Sequence, residues 1–126
     1  LICYEDIFPA LARRTVEKGA EVLVMLSNDA WYGVTSAAFQ HLAFSQLRAL
    51  ENRRMLVRST NTGITSVINA QGHIEKELPW FKETVLTYLV DLNNTISLYT
   101  RFGDWFAWSC ISVVVLLFLF RRTQYV

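Results

Sequence analysis

The 126 residues amount to 14.5 kDa, which fits one compact domain and leaves little room for two. Lys and Arg total 12 against 11 for Asp and Glu, a net charge of +1 with a pI near 8.0, so the electrostatic footprint of a nucleic-acid binder is missing. A hydrophobic fraction of 52% and a mean hydropathy of +0.25 exclude a disordered chain and raise the question of where the apolar excess sits.

The chain opens inside an apolar run, and Leu1 to Tyr4 reads as the end of a buried strand that starts without a lead-in, as expected of a fragment. Residues 7–18 suit a helix. Pro9 lies in its first turn, where a missing N–H costs nothing, Gly19 follows its end, and Phe8, Leu11, Ala12 and Val16 share one face. Residues 21–26 form a short apolar run of the kind that makes a strand covered on both faces, with Ser27, Asn28 and Asp29 as loop formers. After a loop through Trp31, Tyr32 and Gly33, a second helix is predicted over 35–54, with Phe39, Leu42, Ala43, Leu47 and Leu50 as its apolar stripe. His41 lies beside that stripe, and Arg48, Arg53, Arg54 and Arg58, accompanied by Glu51, read as a mixed-charge face turned to solvent or to a domain interface, with phosphate headgroups as the other partner they could neutralise. Strands are predicted over 55–59, 64–70, 73–78 and 84–92, with Asn61-Thr62-Gly63 and Gln71-Gly72 as tight turns. Residues 93–104 read as a linker.

The apolar excess is concentrated in residues 105–120, where 14 of 16 side chains are apolar and none is charged. Sixteen helical residues rise about 24 Å, short of a hydrocarbon core of roughly 30 Å, so the flanks matter. Trp105 and Trp108 at one end and Tyr125 near the other suit the headgroup region, and Arg121 and Arg122 can snorkel beyond the last apolar residue. A transmembrane helix over 105–120 is therefore expected. Its flanking arginines place residues 121–126 in the cytoplasm and residues 1–104 outside.

Cys3 and Cys110 are too far apart in this layout to form a disulfide, since Cys110 falls within the expected span. No Cys or His spacing suggests a metal, and no cofactor is implied. Cys3 is left as a thiol at the end of a strand and just before a helix, where a nucleophile can be presented and activated, although an inert core cysteine fits the same position.

Ile2-Cys3-Tyr4-Glu5-Asp6-Ile7-Phe8-Pro9 resembles the nucleophile motif of the nitrilase, or carbon-nitrogen hydrolase, superfamily. Further blocks, Ser27-Asn28-Asp29-Ala30-Trp31-Tyr32-Gly33, Gln40-His41, Arg48 to Arg54, Arg58 to Thr65 and Gln71-Gly72, are similar to the apolipoprotein N-acyltransferase family within it. The resemblance implies an α/β fold: the distal half of a nitrilase-type α-β-β-α sandwich over 1–92, a linker over 93–104, a transmembrane helix over 105–120 and a cytoplasmic tail over 121–126. It also implies an enzyme of the bacterial inner membrane, facing the periplasm, that transfers an acyl chain from a phospholipid donor to the N-terminal amine of an apolipoprotein acceptor.

In that family a cysteine thiolate takes the acyl group as a thioester, and Cys3 matches it. Tyr4 and Glu5 match the same block. Glu5 is either part of the site or a favourable charge at a helix start. Trp31 and Tyr32, at the same sheet end as Cys3, suit acyl-chain contact or a loop anchor. The family's general-base Glu and oxyanion Lys precede the cysteine, so the missing N-terminal part of the enzyme is an implied partner and the segment alone is expected to be inactive. The family uses Glu as base, so a catalytic His41 is not expected. The rival readings are a nitrilase-type amidase acting on small amides or nitriles, and a noncatalytic membrane-tethered module.

Overall fold

The computed structural model describes residues 1–123. Tyr125 and the Arg122 side chain, both used in placing the span, lie outside what is described. Four strands, β1 (Leu23–Ser27), β2 (Leu56–Thr60), β3 (Ser66–Ile68) and β4 (Ile74–Glu77), form one sheet in that order. β1 and β2 are parallel, with Leu23 opposite Leu56, and β2, β3 and β4 continue antiparallel. Beyond β1, Leu1 and Ile2 take a further parallel position: Ile2 bridges Leu26, and the Leu26 amide donates to the Leu1 carbonyl at 3.0 Å. The strand expected through Tyr4 therefore stops at Ile2, and Cys3–Ile7 coil into a 3-10 turn.

Helix α1 (Pro9–Glu17) begins at Pro9 rather than Ile7, because Phe8 is extended, as a residue before proline prefers. It buries Ala12 and Val16 against Leu23, Met25, Leu42, Ala49, Leu56, Ile64 and Ile68. β1 was expected to be covered on both faces, but it alternates. Leu23 and Met25 are buried under the helices, whereas Val24 and Leu26 are about half exposed on the opposite face. Helix α2 (Ser36–Asn52) is N-capped by Thr35 and ends at Arg53, which adopts a left-handed φ of 53°.

The buried side of α2 corrects the expected stripe. Of Phe39, Leu42, Ala43, Leu47 and Leu50, only Leu42 is buried; the core side is Ala38, His41, Leu42, Ser45, Arg48, Ala49 and Asn52. Spacing of three and four places these residues on one face, and polar members are admitted because other elements supply their hydrogen-bond partners. The arginines are corrected in the same way. Arg48, Arg54 and Arg58 are buried, Arg54 against the carbonyls of Ala20 (2.8 Å) and Thr95 (2.6 Å), and only Arg53 of the four is exposed.

No strand forms over 84–92. A strand requires a ladder partner. This run instead lines, together with Val57, Ser59 and Val67, a groove of about 520 Å³. The 93–104 segment carries a short helix, α3 (Leu98–Phe102), docked on the body. Ser97 Oγ donates to the Glu51 carbonyl (2.5 Å), buried Thr100 Oγ1 donates to Asn52 Oδ1 (3.0 Å), and Arg13 Nε donates to the Thr100 carbonyl (2.9 Å). Helix α4 (Trp105–Thr123) covers the greasy tail, with Phe106, Val114 and Leu117 about two-thirds exposed. Among the described residues no helix is long and apolar enough to cross a membrane.

Candidate functional site around Cys3

Ile2 is extended (φ −123°, ψ 125°), and the next residue, Cys3, has φ +51°. A side-chain-bearing residue in the left-handed region costs on the order of 1–3 kcal/mol and persists where its surroundings fix it. Here they do so at several points. The Glu5 amide donates to the Ile2 carbonyl (3.2 Å), the Ile2 amide donates to Glu5 Oε2 (2.7 Å), and the Phe8 amide donates to the Glu5 carbonyl (3.1 Å). The result is a sharp strand-to-turn bend with the half-buried Cys3 at its apex. Glu5 is exposed, and its carboxylate closes the turn that carries Cys3.

Three residues after Cys3, Asp6 is fully buried. Its carboxylate accepts from Ser45 Oγ (2.5 Å) and Arg58 Nη1 (3.2 Å) and meets His41 Nε2 at 2.8 Å; its carbonyl accepts from Arg48 Nη1 (3.3 Å). The Cys3 turn is thus tied to α2 and β2 rather than to its own neighbours alone.

A second turn, Asp29–Tyr32, follows β1 and lies on the same network. Asn28 caps it, accepting from the Ala30 amide (3.1 Å) and from Asn61 Nδ2 (2.7 Å), while Asn61 Oδ1 accepts from the Asp29 amide (3.1 Å). The buried Asp29 carboxylate takes Ser27 Oγ (2.5 Å), Arg58 Nη2 (2.7 Å) and His41 Nδ1 (3.1 Å). Gly63 is needed beside it, since a Cβ there would fall 2.2 Å from Asp29 Oδ2.

Tyr4 stacks on the His41 ring at 5.6 Å, and Tyr32 meets it edge-on at 5.7 Å, with the two tyrosine rings 6.3 Å apart. Trp31 is 85% exposed and stands clear of this cluster. The structure therefore gathers Cys3, Tyr4, Glu5 and Tyr32 at one place and leaves Trp31 at its solvent edge.

Charge inside the cluster is close to balanced: two carboxylates face Arg58 and His41. Burial works against a charged His41, and the Arg58 guanidinium, with Nη2 2.9 Å from Nδ1, opposes it further. Hydrogen bonds to Asp29 and Asp6 outweigh both effects and push the imidazole up to about 9. Burial would raise the Asp29 carboxyl, but bonds from His41 and Ser27 and the charge of Arg58 hold it at about 2. Burial, then Tyr4, pushes the Tyr32 phenol well above its ordinary range, with smaller contributions from Asp29 and Cys3.

Asp6, Asp29, His41, Ser45 and Arg58 are the members that sequence reasoning missed as a site. The signal present in the sequence is the spacing of His41, Ser45, Arg48 and Asn52, which repeats like a core face although none of the four is apolar. Among the described residues no group of three or more His, Cys, Asp or Glu side chains is arranged to hold a metal ion.

A family model described as carbon-nitrogen hydrolase matches residues 1–100. Among curated proteins, the chain is 48% identical to the apolipoprotein N-acyltransferase of Geobacter metallireducens, over 97% of this chain and 24% of that protein. It is 39% identical to the apolipoprotein N-acyltransferase of Chlorobaculum tepidum (94% of this chain, 22% of that protein), and 39% identical to that of Borreliella burgdorferi (99% and 23%). The chain spans about a quarter of the length of these relatives. In structure it is similar to Nit3 of Saccharomyces cerevisiae, a member of branch 10 of the nitrilase superfamily. The TM-score is 0.51 at 22% identity, covering 65% of this chain and 33% of that one, a likeness of fold. The family match takes in the Cys3 turn, the Asp29–Tyr32 turn, α2 and the whole sheet, and the chain belongs to the carbon-nitrogen hydrolase family.

Proposed function

We propose that this chain is the cysteine-bearing part of a membrane N-acyltransferase that moves a fatty acyl chain from a phospholipid to the N-terminal amine of an apolipoprotein, with Cys3 as nucleophile. The observation that carries this reading is the strained apex position of Cys3, φ +51°, on a turn fixed from both sides. Inert core cysteines have no need of such a turn. The names of the relatives support acyl transfer to nitrogen with an apolipoprotein as acceptor, and the phospholipid donor is what the sequence resemblance implies.

In the first half-reaction the Cys3 thiolate attacks the ester carbonyl of the donor. An S–C bond forms, the ester C–O bond breaks, and the lysophospholipid alkoxide leaves with a proton. In the second, the acceptor amine attacks the thioester carbon; a C–N bond forms, the C–S bond breaks, the amine loses a proton and the thiolate returns. Splitting one transfer between two lipid substrates into two steps gives ping-pong kinetics. The acid–base groups for both steps lie upstream of Cys3 in this reading, so the segment is inactive by itself. Glu5 keeps the nucleophile turn closed, Tyr4 and Tyr32 wall the site, and exposed Trp31 meets the acyl chain.

Residues 1–92 form the distal half of the catalytic sandwich, and α4 is the anchor that keeps Cys3 at the outer face of the bacterial inner membrane, with Arg121 on the cytoplasmic side. Supporting the anchor are the exposed apolar side chains of α4 and the absence of charge over 105–120. Holding an enzyme against its lipid substrates raises their effective concentration.

Incubating the intact enzyme with phosphatidylethanolamine labelled in its acyl chain tests the reading. Label is expected on the wild type as a thioester labile to hydroxylamine, and Cys3→Ala is expected to abolish it. Retention of label by Cys3→Ala overturns the proposal, and labelling by small amides in place of the phospholipid favours the amidase alternative.

A further inference from the structure

Two turns that are distant in sequence build the site, and His41 touches both. Its Nε2 meets Asp6 Oδ1, three residues after Cys3, and its Nδ1 meets Asp29 Oδ1, two residues before Trp31. Its ring is covered by Tyr4 from the first turn and Tyr32 from the second. Arg58 spans the same two carboxylates from β2, but through their other oxygens: Nη1 reaches Asp6 Oδ2 and Nη2 reaches Asp29 Oδ2. The two cations therefore divide the carboxylate oxygens between them.

We propose that His41, in its doubly protonated form, is a positioning residue that locks the Cys3 turn to the Asp29–Tyr32 turn, so that the thiol and the tyrosine wall keep one geometry during acyl transfer. This inference rests on the reading of Cys3 as nucleophile. An imidazolium has two N–H groups, one for each carboxylate. A neutral ring has one. Arg58 Nη2, 2.9 Å from Nδ1, is placed to donate to that nitrogen once its proton is gone. Nε2–H then keeps Asp6, and Asp29 loses its histidine donor. Deprotonation thus releases the Asp29–Tyr32 turn in particular, and leaves two buried carboxylates facing the single charge of Arg58.

The groups that face His41 are Asp6 and Tyr4 from the Cys3 turn, Asp29 and Tyr32 from the second turn and Arg58 from β2, with Ser45 on its own helix bridging Asp6 and Arg58. The raised imidazole value places the release near pH 9. The sign is distinctive. Ionisation of a thiol increases its nucleophilicity as pH rises, whereas loss of the His41 proton lowers the rate as pH rises.

The test is single-turnover thioester formation by the intact enzyme, with acyl-labelled phosphatidylethanolamine, from pH 6.5 to 10. For the wild type, a fall in rate with a midpoint near 9 is expected. His41→Gln, similar in reach but uncharged, is expected to lower the rate at pH 7.5 on the order of 10²-fold, to lose the alkaline fall, and to keep Cys3 open to iodoacetamide. A His41→Gln enzyme within twofold of wild type, or one with the same alkaline midpoint, overturns the inference. If that variant fails to fold, Gly63→Ala takes its place. It removes no polar group but pushes a Cβ onto the Asp29 carboxylate, and it is expected to lower both the rate and the alkaline midpoint. An unchanged profile overturns the proposal. Cys3→Ala separates the two layers: label surviving that change refutes the nucleophile, while label lost in Cys3→Ala with His41→Gln unaffected refutes only the positioning role.

Discussion

Helices α2 and α4 invert the usual association of apolar with inside. α2 turns His41, Ser45, Arg48 and Asn52 inward and leaves Phe39, Phe44, Leu47 and Leu50 between 39% and 59% exposed. α4 is apolar on every side over 105–120, and its side chains there are exposed. Side-chain polarity sets the cost of burial, but partners decide whether that cost is met. On α2 each inward polar side chain has partners: Asp6 and Asp29 for His41, Asp6 and Arg58 for Ser45, Glu51 and the Asp6 carbonyl for Arg48, Thr100 and the Arg48 carbonyl for Asn52. On α4 the hydroxyls of Ser109 and Ser112 donate to the carbonyls of Trp105 and Trp108 one turn back, which is how a helix satisfies hydroxyls without help from other elements. The inward face of α2 is met by neighbouring elements, whereas α4 presents exposed, uncharged apolar side chains over 105–120.

Arg58 holds the inward side of α2 to both turns. Arg58→Met leaves Asp6 and Asp29 without their shared guanidinium, and about 3–5 kcal/mol of stability is expected to be lost, as for other buried pairs stripped of one partner. A thermal melt of the intact enzyme measures it. Next comes Val114→Lys, near the middle of α4. In a lipid-embedded helix it is expected to cost about 2.5–3.5 kcal/mol and to shift enzyme out of the membrane fraction, read by flotation. Unchanged flotation would mean that α4 does not meet lipid at that depth. The smallest effect is expected at Leu47→Gln on the outer side of α2, within about 0.5 kcal/mol in the same melt. A loss above about 1 kcal/mol would show that the outward face of α2 is covered in the intact enzyme.

The elements themselves were largely readable. Pro9 and Gly19 bracket α1, the apolar run to Leu26 marks β1, and the two Gly turns separate β2, β3 and β4. Cys3 and its neighbours were legible as a block of residue types. The inward side of α2 was not, because hydropathy scores residues singly, whereas the burial of His41 or Arg58 depends on carboxylates 12 to 52 positions away. The run over 84–92 shows the same limit from the other direction. Its Thr and Val content suits a strand, but strand formation needs a partner edge, which composition does not report. The docking of α3 depended on hydroxyls, Ser97 and Thr100, that look like linker residues until Glu51 and Asn52 stand opposite them.

That docking has a mechanical consequence. Asn93, Thr95, Ser97 and Thr100 fasten the approach to α4 onto the last turn of α2 and onto the residues just after it. Gly103, with φ +60°, is then the joint before α4, and it lies against the Arg13 guanidinium. With so short a free stretch, a tilt of α4 is not absorbed by slack chain. It loads the C-terminal end of the seventeen-residue rod that holds His41 eleven positions earlier, so the inclination of the proposed anchor bears on the setting of the Cys3 turn through a single helix.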